Sequence, residues 1–234
     1  MECEKNMKFS LKELTLFDKI LWTVSVIVVA ASSSLAKDFS ILSMVGSIIG
    51  VTALILHAKG KVIGQLLIII FAIIYAVISF EQKYYGEMIT YVGMSAPIAA
   101  LSVYTWIKNP YEKANEVKVA KLSRTKWLGL TVLTIAVTVA FYFILKFLGT
   151  NSLLFSTLSV ATSFFASSLT VLRNENYALA YAANDVVLIV LWVIASIKDI
   201  SYISMIACFV MFLVNDLYGF YSWRKMKKRQ ELNI

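Results

Sequence analysis

Eight runs of about 20 predominantly apolar residues constrain this chain more than any other feature, because that length matches the ~30 Å hydrocarbon layer of a bilayer. They fall at roughly 16–35, 39–57, 62–80, 86–107, 127–148, 151–172, 177–197 and 200–223. Most are separated by only a few residues, such as Ala58-Lys59-Gly60-Lys61, so consecutive runs must be antiparallel neighbours. Of 234 residues, 59% are apolar and 15% charged, against about 45–50% and about 25% in soluble domains. One core cannot hide that excess, since a soluble fold must still present a polar surface. An ordinary soluble enzyme, a disulfide-stapled secreted domain and a disordered chain are excluded. Cys3 lies in a polar tail and Cys208 in an apolar run, which makes neither a disulfide framework nor a thiolate metal site. The expected fold is all-α: a polytopic membrane helix bundle of eight spans.

The small residues Ala30 to Ala36 look like a signal-peptide cleavage site. The apolar stretch before them is long for that role, and Glu2, Glu4, Glu13 and Asp18 precede or open it. The first run therefore reads as a retained helix.

Lysine and arginine set the orientation. With eight spans, both termini and the even-numbered loops share one side, which holds 17 basic residues: Lys5, Lys8, Lys12, Lys59, Lys61, Lys108, Lys113, Lys118, Lys121, Arg124, Lys126, Arg173, Arg224, Lys225, Lys227, Lys228 and Arg229. The other side holds three, Lys37, Lys83 and Lys198, apart from Lys19 and Lys146 near span ends. Both termini are expected in the cytoplasm, in a multi-pass protein of the cytoplasmic membrane. The net charge of +8 then serves orientation and contact with membrane lipid, and no nucleic-acid partner is expected.

Shifting the chain by 117 residues pairs Ser79, Tyr85, Met88, Ile89, Met94, Tyr104, Trp106 and Lys108 with Ser196, Tyr202, Met205, Ile206, Met211, Tyr221, Trp223 and Lys225. The second and sixth spans align about one residue off this register, through Thr52 and Thr170. Spans 2–4 thus repeat as spans 6–8, with span 5 between them and span 1 in front. The divisions are 1–38 (tail and extra span), 39–107 (first repeat), 108–150 (basic loop and linker span), 151–223 (second repeat) and 224–234 (basic tail). A single helix between the units makes the repeats parallel, a plan in which transporters place substrate at the repeat interface.

Two acids lie deep in spans, where an ionisable group costs about 2.5–3.5 kcal/mol on insertion scales and marks a cavity or a partner. Asp185 follows Asn184 in span 7, and Asp216 follows Asn215 in span 8. Counting from the basic ends, both pairs sit roughly 10–12 Å into the membrane. Helical spacing groups Tyr177, Tyr181 and Asn184, then Tyr181, Asp185 and Trp192, and on span 8 Asn215 and Tyr218. Aromatic faces with amide and carboxylate acceptors suit a flat heterocycle joined to a hydroxylated sugar. The competing reading is that these polar groups only hold the bundle together. Weaker first-repeat candidates are Thr52, Gln65 and Tyr75, then Tyr91 and Ser95 in span 4, with Gln65 near the solvated end. His57, the single histidine, reads as a solvated helix end, and Trp22, Trp106, Trp127 and Trp223 as interface belts. Neither a phosphate-cradling G-x-x-x-x-G-K nor an H-E-x-x-H or G-x-S-x-G motif occurs, so no enzyme activity, metal or cofactor is expected.

The order and spacing of His57-Ala58-Lys59-Gly60-Lys61, Tyr85-Gly86-Glu87, Trp106, Asn184-Asp185-Val186 and Tyr218-Gly219-Phe220-Tyr221-Ser222-Trp223 resemble the PnuC family of bacterial vitamin transporters. The resemblance spans runs 2–8. It implies an arrangement like that of SWEET sugar transporters, a homotrimer, and facilitated diffusion of nicotinamide riboside followed by trapping through a cytoplasmic kinase. Thiamine or a deoxynucleoside is the alternative substrate, and a non-transporting intramembrane scaffold the alternative of another class. Against typical riboside transporters, Tyr181 stands where a tryptophan is expected, and Leu67 where the third span has an asparagine.

Overall fold

The computed structural model describes residues 13–35, 41–81, 85–112, 114–150, 152–198 and 203–232. Glu2, Cys3, Glu4, Lys5, Lys8, Lys12, Ala36, Lys37, Lys83, Lys113 and Tyr202 lie outside them, as do the side chains of Tyr85, Glu87 and Lys198. Among the described residues, eight helical segments are long and apolar enough to span a membrane. They are built from α1 (Leu16–Leu35), α2 (Ile41–Ala58), α3 (Val62–Glu81), α4 (Tyr85–Thr90) continued through a π turn (Tyr91–Ser95) into α5 (Ala96–Ile107), α6 (Arg124–Phe147), α7 (Leu153–Val171), α8 (Tyr177–Lys198) and α9 (Ile203–Leu232). A two-stranded antiparallel hairpin, β1 (Pro110–Tyr111) with β2 (Glu116–Val117), fills the long basic loop.

Local chemistry sets the helix ends. Thr15 opens α1 as half of a capping box: its N–H and its hydroxyl each donate to Asp18 Oδ2 at 2.7 Å, and Asp18 N–H returns to Thr15 Oγ1 at 3.2 Å. Ser123 caps α6 by accepting from Lys126 N–H at 3.3 Å, so that helix begins three residues before the expected 127. Two helices end alike. After α2, Gly60 (φ +65°) donates to His57 O and Lys61 to Leu56 O. After α7, Arg173 (φ +55°) donates to Thr170 O and Asn174 to Leu169 O. Both are left-handed terminations that satisfy the last carbonyls, with glycine in one and arginine in the other. The π turn sits just before Pro97, which has no N–H for the regular ladder, and Ala96 N–H reaches back five residues to Tyr91 O. The last helix runs on to Leu232 instead of stopping at 223, because its final turns are held by the hairpin below the bundle.

Six helices close a ring. Each of α2, α3, α5, α7, α8 and α9 packs on the next, and α9 returns to α2. Helix α1 lies outside, against α2 and α9, and α6 lies outside against α7. Helices α2 and α3 approach closely. A Cβ on Gly64 would stand 2.8 Å from His57 N and 3.1 Å from Ala53 O. These are backbone atoms that cannot rotate away, so the small residue permits the approach. Gly64→Ala is expected to destabilise the bundle by about 1–3 kcal/mol, read as a lower thermal midpoint in detergent; an unchanged midpoint would show that α2 and α3 separate freely.

Trp106 and Trp223, partners in the 117-residue register, are fully buried and not at an interface belt. Their indoles cross: Trp106 Nε1 donates to Thr170 O at 3.0 Å and Trp223 Nε1 to His57 O at 2.9 Å. Trp106 therefore caps the end of α7 and Trp223 the end of α2, each at the carbonyl that also receives the left-handed turn. Trp22 is partly exposed and donates to Thr52 Oγ1 at 2.9 Å.

Candidate functional site

The ring encloses a cavity that all six of its helices line. Its volume is about 90 Å³, several times the ~10–15 Å³ one water needs. Asp185 and Asp216 both lie on its wall. Both are buried, and Asp185 Oδ2 has no hydrogen-bond partner among the described residues. No lysine or arginine lines the cavity among those residues. The site is thus a small acidic chamber in a low-dielectric setting.

Helix α8 carries most of the chemistry. Tyr181, Asn184, Asp185 and Leu188 all face the cavity. The Tyr181 hydroxyl pairs with Ser167 Oγ at 3.0 Å. Asn184 Oδ1 accepts from Thr162 Oγ1 at 2.8 Å and from Ser159 Oγ at 3.4 Å, so part of its capacity is spent on α7. From α3, Gln65 is fully buried, not solvated, and its amide lies 2.8 Å from His57 Nε2. Aromatic surface comes from Phe71, Tyr91, Phe209 and Phe212.

The remaining expected residues sit elsewhere. Asn215 and Tyr218 share a face of α9, but that face meets α1. Asn215 Nδ2 donates to Ser25 Oγ at 2.9 Å and to Met211 O at 2.7 Å. The Tyr218 hydroxyl donates to Asp18 Oδ1, and Asp18 Oδ2 forms an ion pair with Lys59 at 2.7 Å. Asp216, one residue on from Asn215 and so about 100° around the helix, turns inward with Phe209 and Phe212. Thr52 faces α1 through Trp22. Tyr75 packs on Tyr91 at 4.4 Å between ring centroids and borders a smaller neighbouring cavity. Trp192 is buried in the apolar cluster with Leu188 and Phe209. Tyr177 lies beneath the cavity, stacked on His57.

With this geometry in view, the family model for the nicotinamide mononucleotide transporter matches residues 40–225, most of the chain. The chain belongs to the nicotinamide mononucleotide transporter family. Members of this family are transporters and not enzymes. Two curated relatives agree: the nicotinamide riboside transporter PnuC of Neisseria mucosa is 26% identical, covering 89% of this chain and 81% of its own. The protein of the same name from Haemophilus influenzae is also 26% identical, covering 90% and 91%. A crystal structure of the vitamin B3 transporter PnuC superposes with a TM-score of 0.80 at 24% identity, over 97% of each chain. The transporter-family fold therefore accounts for the whole bundle.

Sequence reasoning on this family member missed His57. Its ring is buried and lines the cavity, although its place at a helix end beside Lys59 pointed to solvent. The hairpin loop covers that end, and no periodicity announces such a cover. Phe71, Phe209 and Phe212 were hidden for another reason: in an apolar span, phenylalanine facing a cavity and phenylalanine facing lipid read alike.

Proposed function

We propose that this chain carries a phosphate-free, nucleoside-like vitamin, nicotinamide riboside first among them, across the membrane through the ring cavity by facilitated diffusion. The observation that carries this reading is the acidic lining: two carboxyl groups with no lysine or arginine beside them. The family's description names a mononucleotide and the two relatives a riboside. A phosphate dianion would enter against like charge in a site of low dielectric, where repulsion is strong. The riboside instead brings a pyridinium cation for the Asp185–Asp216 pair, ribose hydroxyls that can donate to Asp185 Oδ2, and a ring that stacks on aromatic walls.

The same chemistry supports a one-way outcome from a passive carrier. Phosphorylation by a cytoplasmic kinase turns the permeant into the anion that the cavity rejects. Both termini lie in the cytoplasm on this reading, in line with the charge bias of 17 against three. The units 39–107 and 151–223 act as parallel repeats about the cavity, supported by the crossed tryptophan bonds. The homotrimer implied by the PnuC resemblance belongs to this reading too.

Uptake into proteoliposomes tests it. Labelled nicotinamide riboside is expected to enter saturably, and the mononucleotide at least about 100-fold more slowly, as a like-charge penalty of roughly 3 kcal/mol predicts. Equal uptake of the two would remove the acidic pair from selectivity. Uptake of neutral deoxynucleosides without the riboside would move the substrate to that class. Flux of none would leave a scaffold.

A further inference from the structure

We propose that His57 is the gate at the basic end of the cavity, held shut by Gln65 from the cavity side. The proposal rests on the transport reading above and on its orientation. Four buried aromatic side chains close that end: His57 from α2, Trp106 from α5, Tyr177 from α8 and Trp223 from α9. The His57 ring stacks on Tyr177 with centroids 4.4 Å apart and planes 14° apart, and stands 5.1 Å from Trp106. The two tryptophans are 5.4 Å apart. Two of the four come from each three-helix unit, so the layer straddles the joint that must open if one unit rocks against the other.

Its members are not equivalent. Trp106 and Trp223 are fastened to backbone carbonyls across the joint. The His57–Tyr177 contact is a stack, which can slide apart without breaking a hydrogen bond. His57 alone of the four also lines the cavity. Its Nε2 lies 2.8 Å from the Gln65 amide, and Gln65 lines the cavity as well. A permeant that engages the Gln65 amide competes with His57 for it. Occupancy of the cavity thereby releases the ring from its holder and frees the stack.

Below this layer the chain adds a strap. Residues 115–120 cross beneath the ring and bond to the same turn in each unit: Val117 N–H donates to Gly60 O at 3.0 Å, and Ala120 N–H to Arg173 O at 2.9 Å. The end of α9 grips this strap through Gln230, whose amide donates to Val117 O at 3.0 Å while its Oε1 accepts from Val119 N–H at 2.9 Å. The arrangement braces the turn that immediately follows His57.

Sided thiol labelling tests the gate. Ser163 lines the cavity, so Ser163→Cys in a Cys3→Ser, Cys208→Ala background reports access to it. The probe is the cationic, membrane-impermeant reagent trimethylammonium-ethyl methanethiosulfonate, applied to either face of reconstituted vesicles, with the faces told apart by a C-terminal tag. His57→Ala is expected to speed labelling from the tagged face by at least about tenfold with the opposite face unchanged. Gln65→Leu should give a smaller increase from the same face, and His57→Phe, which keeps a ring on Tyr177 but loses the Gln65 contact, should match Gln65→Leu. An unchanged rate in His57→Ala, an equal rise from both faces, or a His57→Phe variant as fast as His57→Ala would each overturn the gate. Should His57→Ala fail to fold, Tyr177→Leu breaks the same stack from the other side and is held to the same outcomes. Sided labelling in a protein that moves no nucleoside would keep the gate and discard the transport reading; nucleoside flux without it would do the reverse.

Discussion

Asp185→Asn is expected to weaken nicotinamide riboside binding by roughly 10–150-fold, the range for losing a hydrogen bond to a charged group, about 1.5–3 kcal/mol. Asp185 Oδ2 is a buried acceptor without a partner among the described residues, so its full capacity is open to a ligand. Asparagine keeps the shape, which preserves the fold while removing charge. A neutral nucleoside analogue should lose much less than the cationic riboside. Titration calorimetry on purified protein with both ligands reads this difference directly. Equal losses for the two would assign Asp185 to hydroxyl recognition alone, and no loss for either would take it out of the site.

The largest stability effect is expected at Trp223. Trp223→Ala removes a fully buried indole, at a cost of about 3–5 kcal/mol for a large aromatic. Trp223→Phe should cost much less, about 1 kcal/mol, for the lost indole hydrogen bond. The carbonyl it leaves is not orphaned, because His57 O also accepts from Gly60 N–H at 2.9 Å. Trp106 should show the same pair of effects, since Thr170 O likewise accepts from Arg173 N–H at 2.9 Å. Thermal unfolding in detergent would measure all four variants. A Trp223→Ala protein as stable as the parent would mean that the aromatic layer contributes closure but no packing.

What could be read ahead of the structure, and what could not, follows from the range of the forces involved. The apolar runs are legible because bilayer thickness acts on each stretch separately, and the eight runs are eight spanning helices. Asp185 and Asp216 are legible because a buried charge is costly wherever it sits, so its depth alone marks it. Which way a polar residue turns depends on the neighbour. Asn215 and Tyr218 read as cavity residues only while α1 is left out, and α1 is the helix they meet. Gln65 and His57 read as solvated because they sit near a helix end, yet a strap some 60 residues further along covers that end. Trp106 and Trp223 carry the composition of an interface belt, and nothing local says that they cross to each other's unit.

The crossed indoles also bear on the order in which the bundle can be assembled. The Trp223 bond to the His57 carbonyl joins residues 166 apart in sequence, while the Trp106 bond to Thr170 spans 64. As the chain leaves the ribosome, the end of α2 has its own turn but no indole until the last helix arrives. In chain order, the bond that joins α9 to the end of α2 is therefore among the last that can form. Non-local closure of this kind is slow and exposes unfinished contacts. A chain truncated before Trp223 would be stranded at that stage, as a set of inserted helices without a chamber.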